Sequence, residues 1–457
     1  MNSRLQSALQ EASARSSTLA DDLVELIAIR SVSGDDAYKD DCVKAAQWLA
    51  DRLQRLPCHD VEIFQTSRSP ILFASLEPPV EASPTILIYG HYDVQRPDPL
   101  SAWDTDPFQG QLRGEHLFGR GASDMKGPLL AAITAVEAIN AADGLPVGVK
   151  FLLEGDEETS GDPMKWFLEQ HGDLLKADIC LNVDAGMLAE DKPTIVYGLR
   201  GSMNCTVRLH GPRLDLHDGM YGGVVQNPIH VLARLIAGLQ NGSGHVTLPG
   251  FYEAVRPISE QEHEAALRHP HGAEFYLEGS GAPALIEDPN YLPVERLGAR
   301  PSMNVRWFKG GAKKNAIPAE AEARISFRLV PDQDPERIYQ SLIEYLGREI
   351  PPTVRWETEK LIKEPGVIVE LETPGVRALA AALEATWGVK PVYQRIGGSI
   401  PVVYELKQEL GIDSALSGFS LPGDHIHGPN EHVHLPTLRK GVEAVIRFFY
   451  LFSEALN

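Results

Sequence analysis

The chain has 457 residues, 43% of them hydrophobic, which is too much for one ordinary core and suits two domains or one large domain with an insertion. It carries 63 acidic against 42 basic residues, a formal net charge of −21, so its surface repels nucleic acid and anionic membranes and favours a small molecule or a metal ion as partner. Cys42, Cys58, Cys180 and Cys205 have no CxxC spacing and fit neither a disulfide framework nor a zinc knot. The N-terminal stretch lacks the basic start and apolar core of a secretory signal, and no segment approaches a membrane span, so a cytoplasmic globular protein is expected.

In chain order, "TLADDLVELIAIRS" (18–31) has helical spacing with Thr18 as its cap, and "DCVKAAQWLADRLQRL" (41–56) is a second amphipathic helix. Strands are expected at "VEIF" (61–64), "TILIYG" (85–90), "VKFLLEG" (149–155) and "ADICLNVD" (177–184). Between the second and third lies a helix, "GPLLAAITAVEAINAA" (127–142), with Pro128 in its first turn. Near-continuous apolar strands alternating with helices predict an α/β domain whose mostly parallel sheet is covered on both faces.

The pattern changes after residue 203. "SMNCTVRLHG" (202–211) alternates like a half-exposed strand, "NPIHVLARLIAGLQ" (227–240) is helical, and 241 to about 300 is polar and irregular. A strand (321–331), a helix (335–350) and a further strand (353–360) complete an α+β insertion. From 365 the α/β pattern resumes and ends in a helix over 436–456. The expected organisation is a discontinuous catalytic domain, 1–203 with 365–457, interrupted by an inserted domain at 204–364.

Several of the buried strands end on side chains that can bind metal or move protons. "TILIYG" delivers His91 and Asp93, "VKFLLEG" delivers Asp156, Glu157 and Glu158, and "ADICLNV" delivers Asp184. Ligands of open α/β sheets bind beyond the carboxyl ends of the strands, so these side chains converge on one edge. The glycine-rich loop "GRGASDMKGP" (119–128) adds Asp124 just before a helix. Carboxylates crowded in this way repel unless a cation holds them together. Histidine with several Asp and Glu suits zinc or manganese, and more ligands than one ion needs suggests a pair sharing a carboxylate. Of the "EE" pair, one would bind metal while its neighbour takes a proton from a metal-bound water.

The motifs "GHYDVQ", "GRGASDMKG", "EGDEETSG", "NVDAG" and "HGPNE" (427–431), in that order, resemble those of the M20 metallopeptidases. The resemblance implies two divalent metal ions, with His91, Asp124 and Asp184 on one and Asp124, Glu158 and His427 on the other. It makes Asp93 the residue that orients His91, Glu157 the general base, and the Asp124–Met125 peptide cis. "DLHDGMYGG" (215–223) is similar to the segment whose histidine, here His217, enters the partner subunit's site and stabilises the oxyanion. That implies a homodimer formed through the inserted lid domain, although Asp218 stands where relatives often have serine. The stretch from "ARPS" to "RLVP" most resembles the carnosine-type dipeptidase branch, in which Arg300 would bind the substrate's C-terminal carboxylate beside Gly398 and Ser399 of "GGSIP". The function implied is hydrolysis of dipeptides or short peptides. The rivals are an N-acyl amino-acid deacylase of the same family and a non-catalytic metal-binding scaffold, the latter opposed by every expected position being filled.

Overall fold

The apolar runs at 85–91 and 148–154 form the two central strands of a six-stranded sheet in the computed structural model of the protein, which describes residues 3–80, 82–159, 162–311 and 315–456. Ser160 and Gly161 of the "EGDEETSG" motif, and Ala312, Lys313 and Lys314 of the later stretch, lie outside the described residues. Across the sheet the order is Asp60–Phe64, Ile71–Leu76, Gly148–Glu154, Thr85–His91, Ile179–Asn182 and Ser414–Leu416. The last four strands are parallel; Ile71–Leu76 runs against Gly148–Glu154, and Asp60–Phe64 against Ile71–Leu76. Their side chains are buried almost throughout from Ile71 inwards, as expected for a sheet covered on both faces.

The helix Gly127–Ala142 is buried along most of its length, with a proline in its first turn, and packs against the helices Ser3–Arg15 and Leu435–Leu456. The helix Lys39–Leu53 covers the two outer strands, Asp60–Phe64 and Ile71–Leu76. These elements belong to one compact unit, made of the chain up to Tyr197, Val369–Gln394 and Val402 onward.

The second unit comprises Gly198–Ile368 with Arg395–Pro401. Its core is a four-stranded antiparallel sheet in the order Ser302–Gly310, Glu320–Leu329, Gly201–His210, Arg355–Glu364. The helices Pro228–Gly238 and Pro335–Glu349 bury Leu232, Leu235, Leu342 and Leu346 against Val207, Leu209, Ile325 and Phe327.

Several local expectations are corrected. Thr18 begins the helix Thr18–Ala28 rather than capping it; its hydroxyl donates to the Arg15 carbonyl at 3.0 Å, closing the turn from the preceding helix. Gly201–His210 is almost wholly buried because it is an inner strand with partners on both sides. The segment 241–300 is not irregular throughout: it holds three short helices, Glu260–Leu267, Ala273–Ser280 and Pro293–Ala299.

Candidate metal centre

The parallel register sets the site. His91 pairs with Glu154 and Tyr89 with Asn182, so three strands end nearly level and present His91, Glu157, Glu158 and Asp184 at one edge. His91 is fully buried, and its Nε2 lies 3.2 Å from Asp124 Oδ1 and 3.6 Å from Asp184 Oδ1. Its Nδ1 faces the Asp93 carbonyl at 3.1 Å and the Asp93 carboxylate at 3.4 Å. Asp93 does more: its two oxygens accept the Glu157 and Glu158 N–H groups at 3.2 and 3.1 Å. One buried carboxylate thus sets both the imidazole and the turn carrying the "EE" pair.

His427, in the left-handed region with φ 61°, directs Nε2 to Asp124 Oδ2 at 2.9 Å and Glu158 Oε2 at 3.0 Å. The ligand atoms of His91, Asp124 and Asp184 all lie within 4.8 Å of one another, and so do those of Asp124, Glu158 and His427. Asp124 is common to both trios, and the Asp124–Met125 peptide is cis. Gln95 donates to the Glu158 carboxylate at 2.9 Å.

The electrostatics are those of a site built for cations. Burial pushes the Asp184 carboxyl up to about 6, against the pull of His91. Glu157 is pushed well above the usual carboxylate range, first by burial and then by the charges of Asp184, Glu158 and Asp124. Burial acts on Asp124 too, but hydrogen bonds from His427 and His91 outweigh it and hold that carboxyl well below the usual range. The same carboxylates overcome burial at the imidazoles, raising His91 well above its ordinary value and His427 to about 10. Among the described residues no Lys or Arg forms an ion pair with Asp124, Glu157, Glu158 or Asp184. Glu158 Oε1 is buried without a hydrogen-bond partner. Uncompensated carboxylates and an unpartnered buried oxygen fit divalent ions, for which His and carboxylate oxygen are the ordinary donors.

One residue of the last motif has a part that its position in the sequence does not reveal. Glu431 is fully buried and paired with buried Arg120 at 2.6 Å. It also accepts the N–H groups of Gly121, Ser123 and Asp124 at 2.9, 3.1 and 3.1 Å, which shapes the loop carrying Asp124.

His217, Arg300, Gly398 and Ser399 belong to the second unit. His217 is exposed at the end of a two-residue strand paired with Ala316–Ile317. The Arg300 guanidinium stacks over the rings of Tyr291 at 4.5 Å and Tyr252 at 5.2 Å, and lines a cavity of about 470 Å³. Ser399 Oγ accepts from Arg328 at 3.2 Å, and the Gly398 carbonyl accepts from the Arg200 N–H at 3.0 Å.

Adjoining His–carboxylate trios at the carboxyl edge of a mostly parallel sheet make a candidate site for divalent metal ions. The chain belongs to peptidase family M20/M25/M40, whose model matches residues 87–450, and is an enzyme of the metallopeptidase class. It is 28% identical over 456 residues to the Cys-Gly metallodipeptidase DUG1 of Candida albicans, covering 95% of this chain and 94% of that one. It is also 28% identical to the human Beta-Ala-His dipeptidase, over 80% of this chain and 74% of the relative. Among solved structures, the di-peptidase Dug1p of Saccharomyces cerevisiae superposes with a TM-score of 0.87 at 25% identity over 99% of both chains. Human carnosine dipeptidase 1 gives 0.85 at 25% identity over 98% of this chain and 99% of that one. These matches agree with the motif-level resemblance to the carnosine-type branch. Among the described residues, no helix is long and apolar enough to cross a membrane.

Proposed function

We propose that the protein is a cytoplasmic, homodimeric dipeptidase that uses two divalent ions, zinc or manganese, to cleave dipeptides or short peptides ending in a free carboxylate. The observation that carries this is Asp124, whose two oxygens face His91 and His427 at 3.2 and 2.9 Å, so that one carboxylate serves both trios. His91, Asp124 and Asp184 would hold one ion and Asp124, Glu158 and His427 the other. When bound, such ions polarise an amide carbonyl and make water more acidic.

Glu157 is the general base. It stands beside the ligands yet belongs to neither trio, which leaves its carboxylate free to take a proton and return it. A water proton passes to a Glu157 carboxylate oxygen as the water oxygen attacks the amide carbon. The same proton then moves to the amine nitrogen as the C–N bond breaks. Asp93 holds the backbone of Glu157 and Glu158 and faces His91 Nδ1, so the base and a ligand are positioned together. The partner subunit's His217 donates to the oxyanion of the tetrahedral intermediate. Arg300, with Gly398 and Ser399, receives the substrate's carboxylate.

The exposed Leu214, Met220 and Val224 near His217 in the chain support a dimer formed through the inserted domain, because a second copy would cover them. Four unpaired cysteines are consistent with a reducing compartment. The relatives are named as dipeptidases, which favours dipeptides over N-acyl amino acids. The test is hydrolysis of a dipeptide panel beside an N-acyl amino-acid panel, by protein loaded with zinc or manganese. Glu157→Gln is expected to lower kcat by roughly a hundredfold or more without loss of bound metal. Cleavage of N-acyl substrates alone would move the protein to the deacylase branch, and full activity in the variant would remove Glu157 as base.

A further inference from the structure

We infer that Arg200 is the positioning residue of the substrate-carboxylate receptor: its guanidinium and N–H tie the backbone that carries Arg300 to the glycine turn that carries Ser399. This rests on the proposal that Arg300, Gly398 and Ser399 receive the substrate's C-terminal carboxylate, and it adds a residue with no role in that proposal. Arg200 is only 7% exposed. Its Nε donates to the Gly397 carbonyl at 3.1 Å, and its Nη1 to the Arg300 carbonyl at 3.4 Å and Ser302 Oγ at 3.2 Å. Its backbone N–H donates to the Gly398 carbonyl at 3.0 Å. One residue therefore fixes two segments that lie 100 and 197 positions further along the chain.

The chemistry of the residue argues for a purpose beyond filling space. Among the described residues neither Arg200 nor Arg328, which donates to Ser399 Oγ, forms an ion pair. Burying a guanidinium without an acid is unfavourable, and an apolar side chain would fill the same volume without that penalty. What arginine alone supplies is a planar fork of donors that can bridge several carbonyls at once. Its uncompensated charge also leaves the receptor positive within a chain of net charge −21, which favours an incoming carboxylate.

The two segments are shaped for this tie. A Cβ at Gly397 would stand 3.0 Å from Arg200 Nη2 and 2.9 Å from Leu297 Cδ1. A Cβ at Gly298 would stand 2.3 Å from the Arg395 carbonyl, so the helix leading to Arg300 meets the turn leading to Ser399 at backbone distance, which glycine permits. Because Arg200 holds the backbone, the Arg300 side chain is left to stack on Tyr291 and Tyr252 and to face the cavity.

The experiment compares kcat/KM for a dipeptide and for the same dipeptide with an amidated C-terminus, in metal-loaded wild type, Arg300→Met, Arg200→Lys and Gly397→Ala. Wild type is expected to prefer the free acid, and Arg300→Met to abolish that preference. Arg200→Lys keeps the charge but loses the fork, so the acid-to-amide ratio should fall roughly tenfold or more, through KM for the acid, with kcat on the amide little changed. Gly397→Ala crowds the Leu297 and Arg200 side chains but no backbone atom, and should lower the ratio in the same direction even if the lysine variant folds poorly. A wild-type ratio in both Arg200→Lys and Gly397→Ala, or equal losses on acid and amide, would overturn the inference while leaving the Arg300 assignment standing. No preference in wild type, or an unchanged one in Arg300→Met, would instead remove the receptor itself and the inference with it.

Discussion

Replacing Asp93 by Asn should damage metal binding and base catalysis separately, because that one carboxylate serves both. Asp93 is fully buried, accepts two N–H groups from Glu157 and Glu158, and faces His91 Nδ1 at 3.4 Å. Asparagine keeps the shape and one oxygen but turns an NH2 towards a backbone N–H, donor against donor. The lost charge-assisted bond and the unpaired N–H together are worth about 2–3 kcal/mol, or roughly a hundredfold in an equilibrium. Metal affinity of the metal-free protein, measured by competition with a chromogenic chelator, is therefore expected to fall roughly ten- to a hundredfold. At saturating metal, occupancy is restored and any remaining fall in kcat reports the displaced Glu157. Affinity and saturated kcat both within about a factor of three of wild type would refute the dual role, since that is well below the loss worked out from these bonds. Loss of affinity with kcat intact would leave Asp93 as a support for His91 alone.

Two further outcomes rest on particular groups. His427 contributes to one trio only and its side chain is 51% exposed, so His427→Ala should remove about one bound ion by elemental analysis, abolish activity and leave the fold intact; unchanged metal content would exclude it as a ligand. Glu154 is buried, with Tyr89 donating to it at 2.5 Å, and burial pushes its carboxyl up to about 8 from an ordinary 4.5. A pKa raised on folding contributes stability that is fully present below about 4.5 and is lost as pH rises through about 8. Urea unfolding of metal-free protein should thus show wild type losing on the order of a few kcal/mol between pH 5 and 8 that Glu154→Gln does not lose, and parallel profiles would contradict the assignment.

The segments that present the candidate ligands are legible in the sequence because each ligand-bearing strand is a near-continuous apolar run whose last residues switch abruptly to His, Asp or Glu. A parallel sheet then forces those ends to one edge. The strand Ile71–Leu76 is almost as apolar, yet it is not among the strands expected from the sequence. The helix Ser3–Arg15 buries only Ala8 and Ala12, too little apolar surface to mark a face. Within 241–300 a signal did exist: Ser259 and Glu262 form a reciprocal capping box at the start of Glu260–Leu267, but the helix buries no residue and shows no periodicity to go with its cap.

Asp93 is expected as the support of His91, but the contacts by which supporting residues hold a backbone are hidden for a deeper reason. Asp93 acts on the N–H groups of Glu157 and Glu158, Glu431 on those of Gly121, Ser123 and Asp124, and Arg200 on the carbonyls of Arg300 and Gly397. Each holds a functional loop by its backbone, and every non-proline residue offers the same backbone groups, so nothing in the side-chain pattern of the held segment names its holder. A metal ligand is recognisable because its own atom does the binding. A residue that fixes a loop more than 300 positions away, as Glu431 does for Gly121, becomes visible only when the fold has brought carboxylate and amide together. Misplacing the loop would be expected to weaken the site as much as losing a ligand, because the geometry of bound ions tolerates little movement of the atoms that hold them.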